Sequence, residues 1–208
     1  MKTNMRKSLF YIIVLLLGSV TFVACSESDD GVDEYPNWKP TNESYFNSLY
    51  ATAKQRVAAG ATDWKVLKAW SLGSLDTDKA EDHIVAHVIS EGAGTEVPLF
   101  TDTVRVHYRG RLLPSTSYAD GYVFDQTYYG TFNPSTAMPT KMAVSTLTTG
   151  FATALQYMHI DDRWEIYIPY QLGYGEQGSD PIPAHSTLIF DVALAEIHHP
   201  GKPVPPYK

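Results

Sequence analysis

The sequence predicts an α+β fold: a curved antiparallel β-sheet packed against one short helix, with a helical extension on its N-terminal side. Three observations carry that prediction. Apolar residues recur at helical spacing between Thr41 and Gly60, with Phe46, Leu49, Tyr50, Ala53 and Val57 on one stripe. From Glu81 onward the apolar period changes to two, in runs bounded by turn residues. Among those runs one short stretch, 150–159, returns to helical spacing through Phe151, Ala154, Leu155 and Met158.

The elements follow in order along 208 residues, 44% of them apolar, enough for one sizeable core and short for two full domains. Residues 1–24 read as a signal peptide, since Lys2, Arg6 and Lys7 precede an almost unbroken apolar run over 9–23. The run is short of the roughly 20 residues a membrane span prefers, and an uncleaved anchor helix is the competing reading. Residues 25–40 carry Glu27, Asp29, Asp30, Asp33 and Glu34 with too little apolar surface to pack, and read as an acidic tether. Residues 41–80 form an extension with one amphipathic helix, Thr41 available as its N-cap and Gly60 placed to end it. Its stripe packs on the domain or on a strand over 64–70, or else forms a dimerisation face. Residues 81–199 hold strands at 83–90, 103–112, 141–147, 163–169 and 186–197, with the short helix capped by Thr148 or Thr149. Trp164, Ile166 and Ile168 share one strand face, and Leu188, Phe190, Val192 and Leu194 share another. An antiparallel sheet covering one helix is an α+β arrangement. Residues 200–208 are Pro-rich and read as a loose tail.

Composition removes several classes of function. Cys25 is the only cysteine, so no intrachain disulfide can form and no cluster can be built on several thiolates. Loss of residues 1–24 removes three cations and no acid, moving the formal charge from −7 to −10. Nucleic acid is not an expected partner, because phosphates are bound by clustered Lys and Arg. Gly173-Tyr-Gly175-Glu-Gln-Gly178 matches the dinucleotide pattern G-x-G-x-x-G letter for letter. That pattern needs a helix opening at the loop, which Pro181 and Pro183 prevent; the glycines permit a tight reversal instead. His83 and His87 share a strand face and His198-His199 are adjacent, without a third ligand spaced to close a coordination shell, so neither metal nor cofactor is expected. G-x-S-x-G and H-E-x-x-H are absent, which leaves hydrolase chemistry without support.

Three segments remain: Val104-Arg-Val-His-Tyr108-Arg-Gly, Val123-Phe124-Asp125, and the stretch from Ile168 through Tyr174, Ile182 and Phe190. Their turn residues and aromatics are spaced to fold one loop over an apolar pocket. In this order, over about residues 81–197, they resemble the FKBP-type peptidyl-prolyl isomerases. The resemblance implies catalysis of X-Pro cis/trans isomerisation in proline-containing polypeptides, chemistry that needs no nucleophile and only a lower barrier to rotating an amide of roughly 18–20 kcal/mol. It also implies the site. Tyr108 stands on the first pocket strand, and Phe124 and Asp125 form a pair whose carboxylate accepts the Tyr108 hydroxyl. Leu147 and Thr148 supply an apolar wall and a backbone donor, and Phe151 the floor. Tyr174 donates to the ligand, Ile182 is the loop's wall, and Phe190 lies deep in the last strand. Macrolides of the rapamycin type are expected ligands of such a pocket.

The sequence departs from the family at several points. Phe151 replaces the usual Trp, Ser179 stands where a His is common, and Thr140, or nothing, stands for a pocket Phe. Insertions at 114–122 and 125–141 add Tyr118, Tyr122, Tyr128 and Tyr129. Phe22-Val-Ala-Cys25 resembles a bacterial lipobox, which implies lipid on Cys25, membrane attachment through that lipid alone, and a place in the cell envelope at the outer membrane, facing the periplasm or the surface. The alternatives are a non-catalytic peptide-binding or chaperone module on the same fold, ordinary β-core packing of the aromatic set, and a glycan or partner surface on the Tyr-rich insertions.

Overall fold

The computed structural model describes residues 31–207; Cys25, the signal peptide and most of the tether lie outside them. Helix α1 spans Trp38–Ala58, and so starts three residues ahead of the Thr41 cap that the sequence suggests. Asn37, in a left-handed conformation with φ 51°, turns the chain into it. Pro40 falls in the first turn, where its missing N–H needs no helical partner. The driving term is Trp38, whose buried indole N–H donates to Ser186 Oγ at 2.8 Å. At the other end the Gly60 N–H reaches the Val57 carbonyl and the Ala61 N–H the Arg56 carbonyl, both at 3.0 Å, with Gly60 at φ 91°. This is a Schellman stop that a residue with a Cβ fits poorly. The buried face is Trp38, Asn42, Phe46, Tyr50 and Ala53; Leu49 is half-buried and Val57 exposed, so the stripe is rotated from its expected line.

Seven strands follow: β1 Trp64–Lys68, β2 His83–Ser90, β3 Thr103–Arg111, β4 Val123–Gln126, β5 Thr140–Ala143, β6 Arg163–Ile168 and β7 Leu188–His198. They form one antiparallel sheet in the order β1-β2-β6-β7-β3-β4, with β5 also on β3. Helix α1 packs on β1 and β2. The four residues of β4 are too few for periodicity to reveal. Strand β5 is shorter than expected because the chain turns into a 3₁₀ segment at Val144–Thr146, whose first N–H donates to the Asp102 carbonyl at 3.0 Å. Helix α2 is Thr149–Leu155, ending before the expected 150–159. Gly150 brings it against β6, for a Cβ there would lie 2.3 Å from Ile168 Cγ2.

The register sets the inner face. Trp164 lies opposite Val192, Ile166 opposite Phe190 and Ile168 opposite Leu188, while Tyr108 and Gly110 of β3 face Val192 and Phe190. With Ile84, Val104, Val106, Leu155 and Met158 they make the core. Each large aliphatic side chain so buried contributes about 1.5–3 kcal/mol. On the outer face Arg163 grips Asp191 with two bonds of 2.9 and 2.6 Å, and Tyr128 and Phe132 of the second insertion fold over it, Arg163 lying 4.8 Å from the Phe132 ring centre. The tail is not loose at its end: Arg105 donates to the Pro205 carbonyl and sits 5.6 Å from the Tyr207 ring centre.

The histidines are absorbed locally. His83 Nδ1 meets the Lys79 carbonyl at 2.8 Å, and His87 stacks on Trp64 at 4.8 Å. His199 bridges Asp102 at 3.0 Å and Glu96 at 2.7 Å. The Asp102 bond, then the Glu96 bond, raise the His199 pKa above the ordinary value. A raised folded-state value stabilises below the unfolded pKa of about 6.5 and is lost as pH climbs through the folded one. The melting-temperature gap between the wild type and His199→Ala should therefore be wider at pH 6 than at pH 9 in circular-dichroism melts. Equal gaps would show that the bridge does not titrate.

Candidate active site

The site is built where β3, β4 and β7 meet. Tyr108 points to the inner face, and its hydroxyl donates to Asp125 Oδ2 across the β3–β4 pair. Gly110 opposes both Asp125 and Phe190. A Cβ at Gly110 would come within 2.5 Å of the Phe124 ring and 2.6 Å of the Phe190 ring, so the missing side chain is what admits both aromatics. Phe190 then meets Phe124 at 5.4 Å and 85°, and Phe151 at 4.8 Å and 80°, the edge-to-face geometry that ring quadrupoles favour. Tyr108 stands 6.3 Å from the Phe151 and Phe190 ring centres. Leu147 and Thr148 lead into α2, and Phe151, one turn on, lays its ring against Phe190.

The fourth side is the loop between β6 and β7. It opens with a 3₁₀ turn at Tyr170–Leu172, and the Gly175 N–H returns to the Tyr170 carbonyl at 2.8 Å. Residues 173–177 are turns, Gly175 and Gly178 stand at φ 64° and 69°, and no helix opens there. At Gly178 a Cβ would meet the Ile182 carbonyl oxygen at 2.5 Å. Ser179 and Ile182 exchange backbone bonds of 2.9 and 2.5 Å around the cis Asp180-Pro181 peptide, which hangs Ile182 over the pocket. Tyr174 is 40% exposed at the rim.

The structure brings all nine expected pocket residues, Tyr108, Phe124, Asp125, Leu147, Thr148, Phe151, Tyr174, Ile182 and Phe190, around one cavity of about 320 Å³. Cys25, the expected lipid site, lies outside the described residues. Met142, Thr146, Ser179, Asp180 and Pro181 also line the cavity. Thr140 does not: Met142, two residues further along β5, supplies the apolar wall there. The alternation of β5 carries that signal, but only once the strand is known to begin at Thr140.

Burial, then the bond to Asp125, pushes the Tyr108 pKa above the tyrosine range, so its hydroxyl stays protonated and acts as a donor. Of the lining hydroxyls, Tyr108 donates to the Asp125 carboxylate and Thr146 donates to the Ala143 carbonyl at 2.8 Å. The arrangement can seat an apolar ring and hydrogen-bond polar groups beside it.

Fold and cavity thus define a sheet-borne, aromatic-lined pocket. Residues 94–195 match the FKBP-type peptidyl-prolyl cis-trans isomerase family. The chain is 34% identical over 148 residues to the FKBP-type 22 kDa peptidyl-prolyl cis-trans isomerase of Escherichia coli (strain K12), covering 71% of this chain and 66% of that protein. It is 34% identical over 111 residues to the outer membrane protein MIP of Legionella longbeachae, covering 53% of this chain and 42% of that one. The chain therefore spans two thirds or less of the length of these relatives. Among solved structures, the peptidyl-prolyl cis-trans isomerase of Pseudomonas syringae pv. tomato str. DC3000 shares the fold, with a TM-score of 0.54 at 22% identity over 77% of this chain and 96% of that one. The chain belongs to the FKBP-type peptidyl-prolyl isomerase family.

Proposed function

We propose that this chain catalyses cis/trans isomerisation of X-Pro bonds in polypeptides exported to the cell envelope. The observation that supports it most is the cavity in which three edge-to-face aromatics and the Tyr108–Asp125 pair surround one ring-sized space. The prolyl ring sits on Phe151, against Phe124, Phe190 and Tyr108, with Leu147 and Ile182 as walls. The Tyr174 hydroxyl and the Thr148 backbone N–H hold the flanking carbonyls. Water stabilises the planar amide by solvating its charge-separated form, so an apolar lining that strips this water destabilises the planar state relative to the twisted one. A million-fold gain needs roughly 8 kcal/mol from desolvation and orientation together. Asp125 has no proton to give; it holds Tyr108 and sets the field near the twisting imide.

The test is a protease-coupled assay of X-Pro tetrapeptides with the full-length chain. The expected result is a rate above the uncatalysed one, which takes tens to hundreds of seconds, inhibited by a macrolide of the rapamycin type filling the same cavity. Phe151→Trp should hold or raise kcat/KM, because the larger indole restores the family's usual floor. Peptide binding without acceleration would make the chain a non-catalytic binding module.

The envelope location is supported by the lipobox-like Phe22-Val-Ala-Cys25 and by the name of the Legionella relative. Among the described residues no helix is long and apolar enough to cross a membrane. Attachment would rest on acyl chains at Cys25, each buried methylene contributing about 0.8 kcal/mol. Mass spectrometry of the native protein should show an acylated Cys25 as the first residue. An unmodified chain retaining residues 1–24 would overturn this.

A further inference from the structure

We infer that α1 is a positioning element of the pocket: through Trp38 and Asn42 it clasps the loop that carries Tyr174 and Ile182, and so sets substrate affinity. The catalytic part of this inference rests on the isomerase reading above. Asn42 is fully buried, and both ends of its amide are used. Its Nδ2 donates to the Trp38 carbonyl at 2.7 Å, and its Oδ1 accepts the Thr187 N–H at 2.7 Å, one residue before β7 begins. The Trp38 indole donates to Ser186 Oγ at 2.8 Å, and that hydroxyl donates onward to the Pro183 carbonyl at 2.7 Å, beside Ile182. At the opposite end of the loop the Tyr170 hydroxyl donates to Glu43 Oε1 at 3.0 Å, while the Tyr170 carbonyl receives Gly175, beside Tyr174. The edge of the Tyr170 ring also meets His185, with centres 4.9 Å apart at 88°. The first two turns of α1 therefore hold both ends of the loop.

The chemistry at position 42 argues against a plain spacer. A helix that served only to fill space would carry Ala or Leu there, since a buried amide is unfavourable unless its polar atoms are bonded. Here the amide meets an N–H that would otherwise be buried without a partner. The loop's own backbone bonds, Gly175 to Tyr170, Gly178 to Tyr174, His185 to Gly175 and the Ser179–Ile182 pair, run within it and fix its shape; the bonds from α1 tie that shape to the rest of the domain. All three clasping residues precede residue 94, where the family match begins.

Asn42→Ala and Trp38→Phe in the full-length chain test this by amide hydrogen exchange and by isomerase kinetics. For Asn42→Ala, amides over 174–187 should exchange about tenfold faster, while those of β3 and β6 hold. The KM for an X-Pro peptide should rise at least about fivefold, with kcat within about twofold. Trp38→Phe removes one donor and keeps an aromatic ring, so it should give a milder form of the same pattern even where Asn42→Ala fails to fold. Should the wild type prove inactive, the isomerase reading fails, and faster loop exchange in the variants still supports the clasp. Unchanged loop exchange in both variants overturns the clasp. A loosened loop with unchanged KM in an active enzyme overturns its role in affinity.

Discussion

Replacing Asp125 with alanine should lower kcat/KM for X-Pro isomerisation roughly 10- to 100-fold, the range expected for one hydrogen bond to a charged group of about 1.5–3 kcal/mol. Asp125 is itself exposed, so its removal leaves no hole in the core. What changes is Tyr108, a buried phenol whose hydroxyl donates to that carboxylate. Without its acceptor the hydroxyl rotates freely at the pocket wall, and the field beside the imide disappears with the charge. Tyr108→Phe removes the same bond but keeps the charge, so its loss should be no larger, and the double variant should lose little more than Asp125→Ala alone. Stopped-flow or protease-coupled kinetics on the four proteins decide the matter. Fully additive losses would show two separate contributions and break the paired role proposed here.

The second large effect is steric. Gly110→Ala places a methyl group within 2.5 Å of the Phe124 ring and 2.6 Å of the Phe190 ring, in a strand residue outside the left-handed region, beside the register shift between β3 and β4. The rings must move, and overpacking of this kind destabilises by about 1–3 kcal/mol. For a chain of this size that is a fall in melting temperature of a few degrees to roughly 10 °C. Binding should suffer more than stability, because the displaced rings have nowhere to go but into the cavity. Calorimetry with a rapamycin-type macrolide should show affinity reduced more than tenfold. A variant that melts early yet binds normally would mean that the rings relax outward, and that Gly110 serves strand packing alone.

The pocket was legible in the sequence because its aromatics sit at fixed offsets from turn residues: Phe124 beside Asp125, Tyr174 between Gly173 and Gly175, and Phe190 on an alternating strand. The sheet was legible for a related reason, since the period-two burial over 163–166 and 190–194 is forced wherever one face covers a helix. Gly110 carried no such signal, because its significance depends on which ring a neighbouring strand places opposite it. Met142 was hidden by a strand boundary misplaced by one residue. Trp38 and Asn42 were missed for a deeper reason: a polar run reads as solvated, and nothing local shows that a buried amide will find its partner 145 residues away.

That separation has a consequence for how the molecule is made. The Trp38–Ser186 and Asn42–Thr187 bonds span 148 and 145 residues. Contacts so distant in sequence are slow to form, because the chain's loop-closure entropy must be overcome before they contribute. In a polypeptide that emerges N-terminus first, α1 exists long before the strand it must meet. The loop over the pocket is fastened only when β7 has been synthesised and zipped between β6 and β3. Incomplete chains therefore carry the aromatic residues without the enclosure, and the pocket has no finished surface until the last strand is in place.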